Sequence, residues 1–254
     1  MNFFKLVSLH VKMNFSNRGA VVGGIVLPLV LYYFLSQAMK SETFQGISYS
    51  QFLLPGVICI SLCASAFVGL PVLITTMREQ DILKRILTTP YPISKYILVI
   101  ILSQFTVMLS QSIILLIIGA IVYKLKFTSD FVAWVLFVLL FILGILSLIA
   151  FGFAFSNFIK GTQNAVSVGN ILNLVLVFLS GGFFSIDSFP KWLKEIAKFS
   201  PLYIFLKGQR DFFAYAVSLS NSNLYNSLIK DLGFLFVFGL LCYLVAIFSW
   251  KKVN

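Results

Sequence analysis

The sequence predicts an all-α integral membrane protein with six transmembrane helices, and three observations carry that prediction. Of 254 residues, 59% are hydrophobic, 11% are charged and 28 are Phe, against a globular norm of roughly 45–50% apolar and about 25% charged. The same counts exclude a disordered chain, which would be poor in apolar residues. Cutting the chain at its charges leaves six uncharged runs, 19–39, 43–77, 96–123, 131–159, 161–186 and 232–250. A helix needs roughly 20 apolar residues to cross a hydrocarbon core about 30 Å thick, so each run spans once. Finally, the charges gather between the runs rather than inside them, as lipid requires. The whole chain, 1–254, reads as one transmembrane domain with spans at about 19–39, 52–77, 96–123, 131–159, 161–186 and 232–250.

Before the first span, apolar and polar residues alternate from Val7 to Ser16, the period of a strand. At 100° per residue, however, Phe3, Phe4, Val7, Val11 and Phe15 also form one stripe flanked by Lys5, Lys12 and Arg18. An unpaired strand exposes its edge, so residues 1–18 are expected to form a helix lying at the membrane interface among lipids. Ser36-Gln37-Ala38 resembles a signal-peptidase site, but the run before it is longer than a secretory core. The second run opens with the polar stretch 43–51, so its span is expected from Phe52. Gly19 and Gly23 give span one a glycine stripe of the kind that lets helices approach closely, either within the bundle or against a second copy.

Six spans put both termini on one side. If that side is cytoplasmic, it carries ten basic and two acidic residues, and the other side nine and six. Six of those nine lie in the long segment 187–231, which orients poorly because long segments translocate largely regardless of charge. Among short loops the contrast is ten basic residues to three, which places both termini in the cytoplasm of a multi-pass cell-membrane protein. The net charge of +11 is thereby explained by topology, and no nucleic-acid partner is expected.

Two connecting segments stand out. After span two, Ile82, Leu83, Ile86 and Leu87 fall on one helical face, with Arg78, Glu79, Lys84 and Arg85 around them, and Pro90 and Pro92 close the segment. This is either a surface loop helix or a docking helix with an apolar edge. After span five, Ser180-Gly181-Gly182-Phe183 precedes an amphipathic stretch. There Phe189, Trp192, Leu193 and Ile196 share a face, Pro190 begins the helix and Pro201 ends it. The glycines allow a backbone break at the membrane boundary, tolerated only where it is buried or faces water. A re-entrant or surface-lying element follows, then a second short helix over 202–217 carrying Lys207, Arg210 and Asp211.

These two segments together, Arg78-Glu79…Leu83-Lys84-Arg85-Ile86-Leu87-Thr88-Thr89-Pro90 and Ser180-Gly181-Gly182-Phe183-Phe184…Phe189-Pro190-Lys191-Trp192…Ser200-Pro201-Leu202…Arg210, resemble the ATP-binding-cassette (ABC) type 2 permease family. The size, the six spans and the long last external loop fit as well. The resemblance implies that the segment after span two is a coupling helix (Arg78, Glu79, Ile82, Leu83, Lys84, Arg85, Ile86, Leu87) gripped by a separate ATP-binding subunit, which binds ATP and magnesium. It implies that the external element (Gly181, Gly182, Phe183, Pro190, Trp192, Pro201, Arg210) caps the pathway. Six helices leave little room for a substrate-sized lumen within one chain, so two copies are expected to form a homodimer around one pathway. The family's loop commonly reads Arg-Glu-x-Gly, and Asp81 stands at the glycine position here.

Span five carries Gln163, Ser167 and Asn170 within about a 60° arc, which Asn173 extends to roughly 120°. They either hydrogen-bond neighbouring helices or line a pathway, and the resemblance favours lining, because the family's fifth span borders the cavity. Span three offers a comparable face at Ser103, Thr106 and Ser110. The chain has no Gly-x-x-x-x-Gly-Lys-Ser/Thr phosphate loop and no Asp, Glu, Lys, Arg or His inside the runs. His10 is the only histidine, and Cys59 with Cys63 supplies too few ligands for structural zinc. No catalytic residue and no metal site are expected, and the three cysteines read as core filling. An exporter subunit moving a drug, antimicrobial peptide, lipid or glycolipid is the leading reading. A secondary transporter or channel, and an intramembrane enzyme or immunity factor, are the alternatives.

Overall fold

A computed structural model of the chain describes residues 3–40, 43–44, 47–88, 92–123, 125, 128–183, 186, 189–218 and 224–253. Among the described residues, six helices are long and apolar enough to cross a membrane: Arg18–Ala38, Tyr49–Glu79, Ile93–Tyr123, Phe131–Ser156, Thr162–Leu179 and Leu224–Ala246. They are spans one to six below. The N-terminal segment is a helix, Phe3–Ser16, not a strand. It lies along span three, turning Leu6 and His10 inward and leaving Phe4, Leu9 and Met13 exposed.

Span two is the hub. From Gln51 to Cys63 it is buried on every side. It begins at Tyr49, earlier than its polar opening suggested, because two short antiparallel strands, Thr43–Phe44 and Ile47–Ser48, deliver the chain into it. Proline shapes both of the first two spans. A proline cannot donate to the carbonyl four residues back, which deprives Gly24 through Pro28 and Phe67 through Pro71. One turn before each proline the helix widens into a π-helical turn, Val22–Val26 in span one and Ser65–Gly69 in span two. The Ser61 hydroxyl donates to the stranded Gly24 carbonyl. The wide turn of span two meets two glycines. A Cβ on Gly152 of span four would lie 2.1 Å from the Ala66 carbonyl oxygen, and one on Gly169 of span five 2.2 Å from that of Phe67. Gly19 and Gly23 do not pack in this way: a Cβ on Gly23 would meet nothing within 4 Å.

Span five ends at Leu179, although the uncharged run continues to 186. Ser180 is followed by Gly181 at φ 75°, Gly181 N donates to Phe178 O at 3.1 Å and Gly182 N to Val177 O at 3.1 Å. This is the left-handed glycine stop that satisfies the last carbonyls. Span six starts earlier than the charge pattern suggested, in the helix Leu224–Val253, because Asp231 inside it is neutralised. Lys207 Nζ lies 3.2 Å from Asp231 Oδ2 and 3.0 Å from Ser227 Oγ.

Candidate functional site

The short helix after span two, Ile82–Leu87, sits at the end of the bundle that also holds the N-terminal helix. Asp81 starts it at φ 53°, ψ 22°, in the left-handed region that glycine supplies most cheaply. Ile82 and Ile86, expected to offer an apolar edge outward, are instead half-buried against the bundle, while Asp81 and Arg85 are exposed. Thr89 and Pro90 lie outside the described residues, as do the side chains of Leu83, Lys84 and Leu87. Arg78, half-buried, turns toward the bundle, whereas Glu79 stays exposed at its edge. Arg78 Nη1 donates to Ser156 O at 3.2 Å and its Nη2 to Asn157 Oδ1 at 2.7 Å, which fixes the root of the short helix to the last turn of span four. Glu79 accepts from Thr162 N at 2.9 Å and from Thr162 Oγ1 at 2.6 Å. It therefore caps span five, a carboxylate at a helix N-terminus, and Gly161 at φ 88° makes the turn that brings Thr162 there.

On span five Gln163, Ser167 and Asn170 are exposed, in line with Val168, Ile171, Leu174, Val175 and Phe178 further along. Polar side chains occupy the first half of this uncovered face and apolar ones the second. Ser167 Oγ donates back to Gln163 O at 3.2 Å, and none of these three bonds a neighbouring helix among the described residues. Asn173 leaves the face: it turns inward, with Oδ1 buried and unpartnered. On span three, Ser103, Thr106 and Ser110 all donate to carbonyls of their own helix, the common fate of hydroxyls in spans.

At the opposite end, helices Lys191–Lys198 and Pro201–Ser218 follow span five. Pro201 opens the second of them as well as following the first. Trp192 is 66% and Ile196 53% exposed, so the apolar face of the first helix points away from the bundle. Phe184, Ser185, Asp187 and Ser188 lie outside the described residues. Arg210 is buried, and no carboxylate lies beside it among the described residues. Its Nη2 donates to Gly181 O at 2.9 Å and Gly182 O at 3.2 Å, its Nε to Phe52 O at 3.3 Å, and the guanidinium lies 3.7 Å from the centre of the Phe52 ring. Burial pulls its pKa down to about 10. The contact works because no side chain intervenes: a Cβ on Gly56 would sit 1.9 Å from the Gly182 carbonyl oxygen. Near the start of span four, Asp130 accepts from Tyr215 at 3.1 Å and from Tyr225. The Tyr225 hydroxyl above all holds its carboxyl below the usual range.

Residues 34–248 match the family described as ABC-2 family transporter protein. The chain belongs to this family. It is also 21% identical over 209 residues, 82% of this chain and 84% of the other, to YvfS of Bacillus subtilis (strain 168), a protein whose name assigns it as a transport permease. The permease is thus a multi-pass membrane subunit of an ABC transporter, a permease component and not a nucleotide-binding one, and its family implies an ATP-binding cassette partner.

Two residues of the permease escaped the sequence reading. Gln104 and Gln111 of span three are 2% and 3% exposed. Both reach span two at its wide turn, where Gln104 Nε2 donates to Ser65 O at 3.0 Å and Ser65 Oγ to Gln111 Oε1 at 2.8 Å. Their spacing of seven, two helical turns on one face, is the signal that the sequence carries for them.

Proposed function

We propose that this permease is the transmembrane subunit of an exporter that moves an amphipathic or lipid-like molecule outward, powered by a separate ATP-binding subunit seated on the Ile82–Leu87 helix. The observation that carries the reading is the join at Arg78 and Glu79. The last turn of span two, which leads into that short helix through Gln80 and Asp81, is tied by charge-assisted hydrogen bonds, the stronger kind, to the end of span four and to the N-terminus of span five. A push on the short helix therefore moves span five, which carries the uncovered polar and apolar face. The short-loop charge bias supports a cytoplasmic position for this end and for both termini.

Two copies facing each other across span five would enclose a pathway beside Gln163, Ser167 and Asn170, which six helices in one chain leave open. The external helices would close it on the far side, with Arg210 holding them to the glycine loop. ATP and magnesium belong to the partner.

The test uses the permease coexpressed with the ATP-binding subunit and reconstituted in proteoliposomes. Arg85→Glu, on the exposed side of the short helix, is expected to abolish copurification of the partner. Glu79→Ala is expected to retain the partner and its ATP hydrolysis while lowering transport at least tenfold. Transport that survives both substitutions, or proceeds with no ATP-binding partner, overturns the reading.

A further inference from the structure

A groove of about 530 Å³ runs between the N-terminal helix and spans one, two, three and five, a volume in the range of small-molecule sites. Its lining is polar at His10, Asn14, Asn17, Gln104 and Gln111 and aliphatic at residues such as Val68 and Val107. Among the described residues, no carboxylate, ammonium or guanidinium lines it.

The two carboxamides are each committed at one end only. Gln104 donates through Nε2 to Ser65 O, and Gln111 accepts through Oε1 from Ser65 Oγ. That leaves the Gln104 Oε1 acceptor and the Gln111 Nε2 donor without a partner among the described residues, on side chains that are otherwise buried. Neither atom is sealed inside the protein, so both are open to a polar group that enters the groove. The committed ends hold the carboxamides still against the wide turn of span two, and Gly24 lets span one approach so closely that a Cβ there would lie 2.5 Å from Gln111 Nε2.

We propose that this groove binds neutral amphipathic molecules: an apolar body lies along the aliphatic walls, and an amide or hydroxyl group is received by Gln104 Oε1 and Gln111 Nε2. One fixed acceptor and one fixed donor match a group that offers both. A charged headgroup finds no counter-ion in the described lining and stays in water. This names the cargo class of the proposed exporter and rests on that reading for its transport consequence, but binding itself requires no ATP-binding partner.

The full chain in phosphatidylcholine nanodiscs, without partner, is photolabelled with a diazirine-bearing palmitamide and the adducts are mapped by mass spectrometry. Adducts are expected on the groove wall at Val68 and Val107. Unlabelled palmitamide should suppress them, and hexadecyl sulfate and hexadecyltrimethylammonium at equal concentration should not. The double substitution Gln104→Leu with Gln111→Leu should lower the yield at least tenfold. Val107→Trp fills the groove while leaving both carboxamides in place, and should do the same in a chain that remains monodisperse. Adducts spread evenly over the lipid-facing surface, an unchanged yield in Val107→Trp, or equal competition by the charged amphiphiles overturns the site. None of these results touches the ATP-binding partner, whose absence would overturn the exporter reading instead.

Discussion

Asp81 spends stability to hold a shape. A residue with a side chain costs about 1–2 kcal/mol in the left-handed region, and aspartate is among the few that visit it. Asp81→Gly is therefore expected to leave thermal stability unchanged or raise it by up to about 1 kcal/mol, whereas Asp81→Val, branched at Cβ, should lower it by about 1–2 kcal/mol. Unfolding of the detergent-solubilised protein followed by tryptophan fluorescence measures both. His10 gives a second prediction at this scale. It is buried against span three, with Nε2 3.4 Å from the Tyr96 hydroxyl, and burial holds its pKa below the ordinary 6.5. The undocked helix then takes up a proton more readily than the docked one. The contribution of His10 to docking of residues 3–16 is therefore fully present above 6.5 and is lost as the pH falls below that value. Hydrogen exchange of this segment, corrected for the intrinsic rate, should show the loss on acidification, and His10→Gln should remove the pH dependence.

Between the elements, the tightest contacts are made by atoms that are missing. Gly152 and Gly169 bring spans four and five onto the wide turn of span two, so Gly152→Ala and Gly169→Ala should each cost about 1–3 kcal/mol by overpacking. Gly23→Ala, with open space beside it, should leave the single chain as stable as before. Resistance to denaturation in a graded detergent mixture would rank the three, and a Gly23 variant as unstable as the other two would contradict the packing described. The existence of the spans was legible because lipid imposes it: charges avoid hydrocarbon, and a helix must be long enough to cross. The joins were not legible. Nothing in Arg78-Glu79 says that the two side chains fold back to spans four and five, since that depends on where Asn157 and Thr162 arrive in space. The end of span five was half-legible. The glycines marked a break, but its position at Leu179 follows from a left-handed turn at Gly181 that composition does not register.

For the whole molecule, the uncovered face of span five is the largest consequence. In a background with Cys242→Ala, where Cys59 and Cys63 are fully buried, single cysteines at 163, 167 and 170 should react with a water-borne thiol reagent added from the side of the Ile82–Leu87 helix. A cysteine at 173, turned into the bundle, should not. Protection of the first three when the ATP-binding partner closes on ATP is the outcome expected for a pathway between two copies, and an active complex whose mass holds one permease excludes it. Labelling at 103 and 106 with silence at 167 and 170 would move the pathway to span three.

The hydroxyl of Ser61 that completes the Gly24 carbonyl has a consequence for how the chain enters its membrane. A ribosome makes span one first, and at that moment Pro28 has already withdrawn the carbonyl's helical partner while Ser61 is not yet synthesised. An unpaired carbonyl facing hydrocarbon is expensive, so span one alone is a poor candidate for release from the insertion machinery into lipid. It becomes a better one when span two arrives to supply the donor, and the two are expected to leave together, as a hairpin.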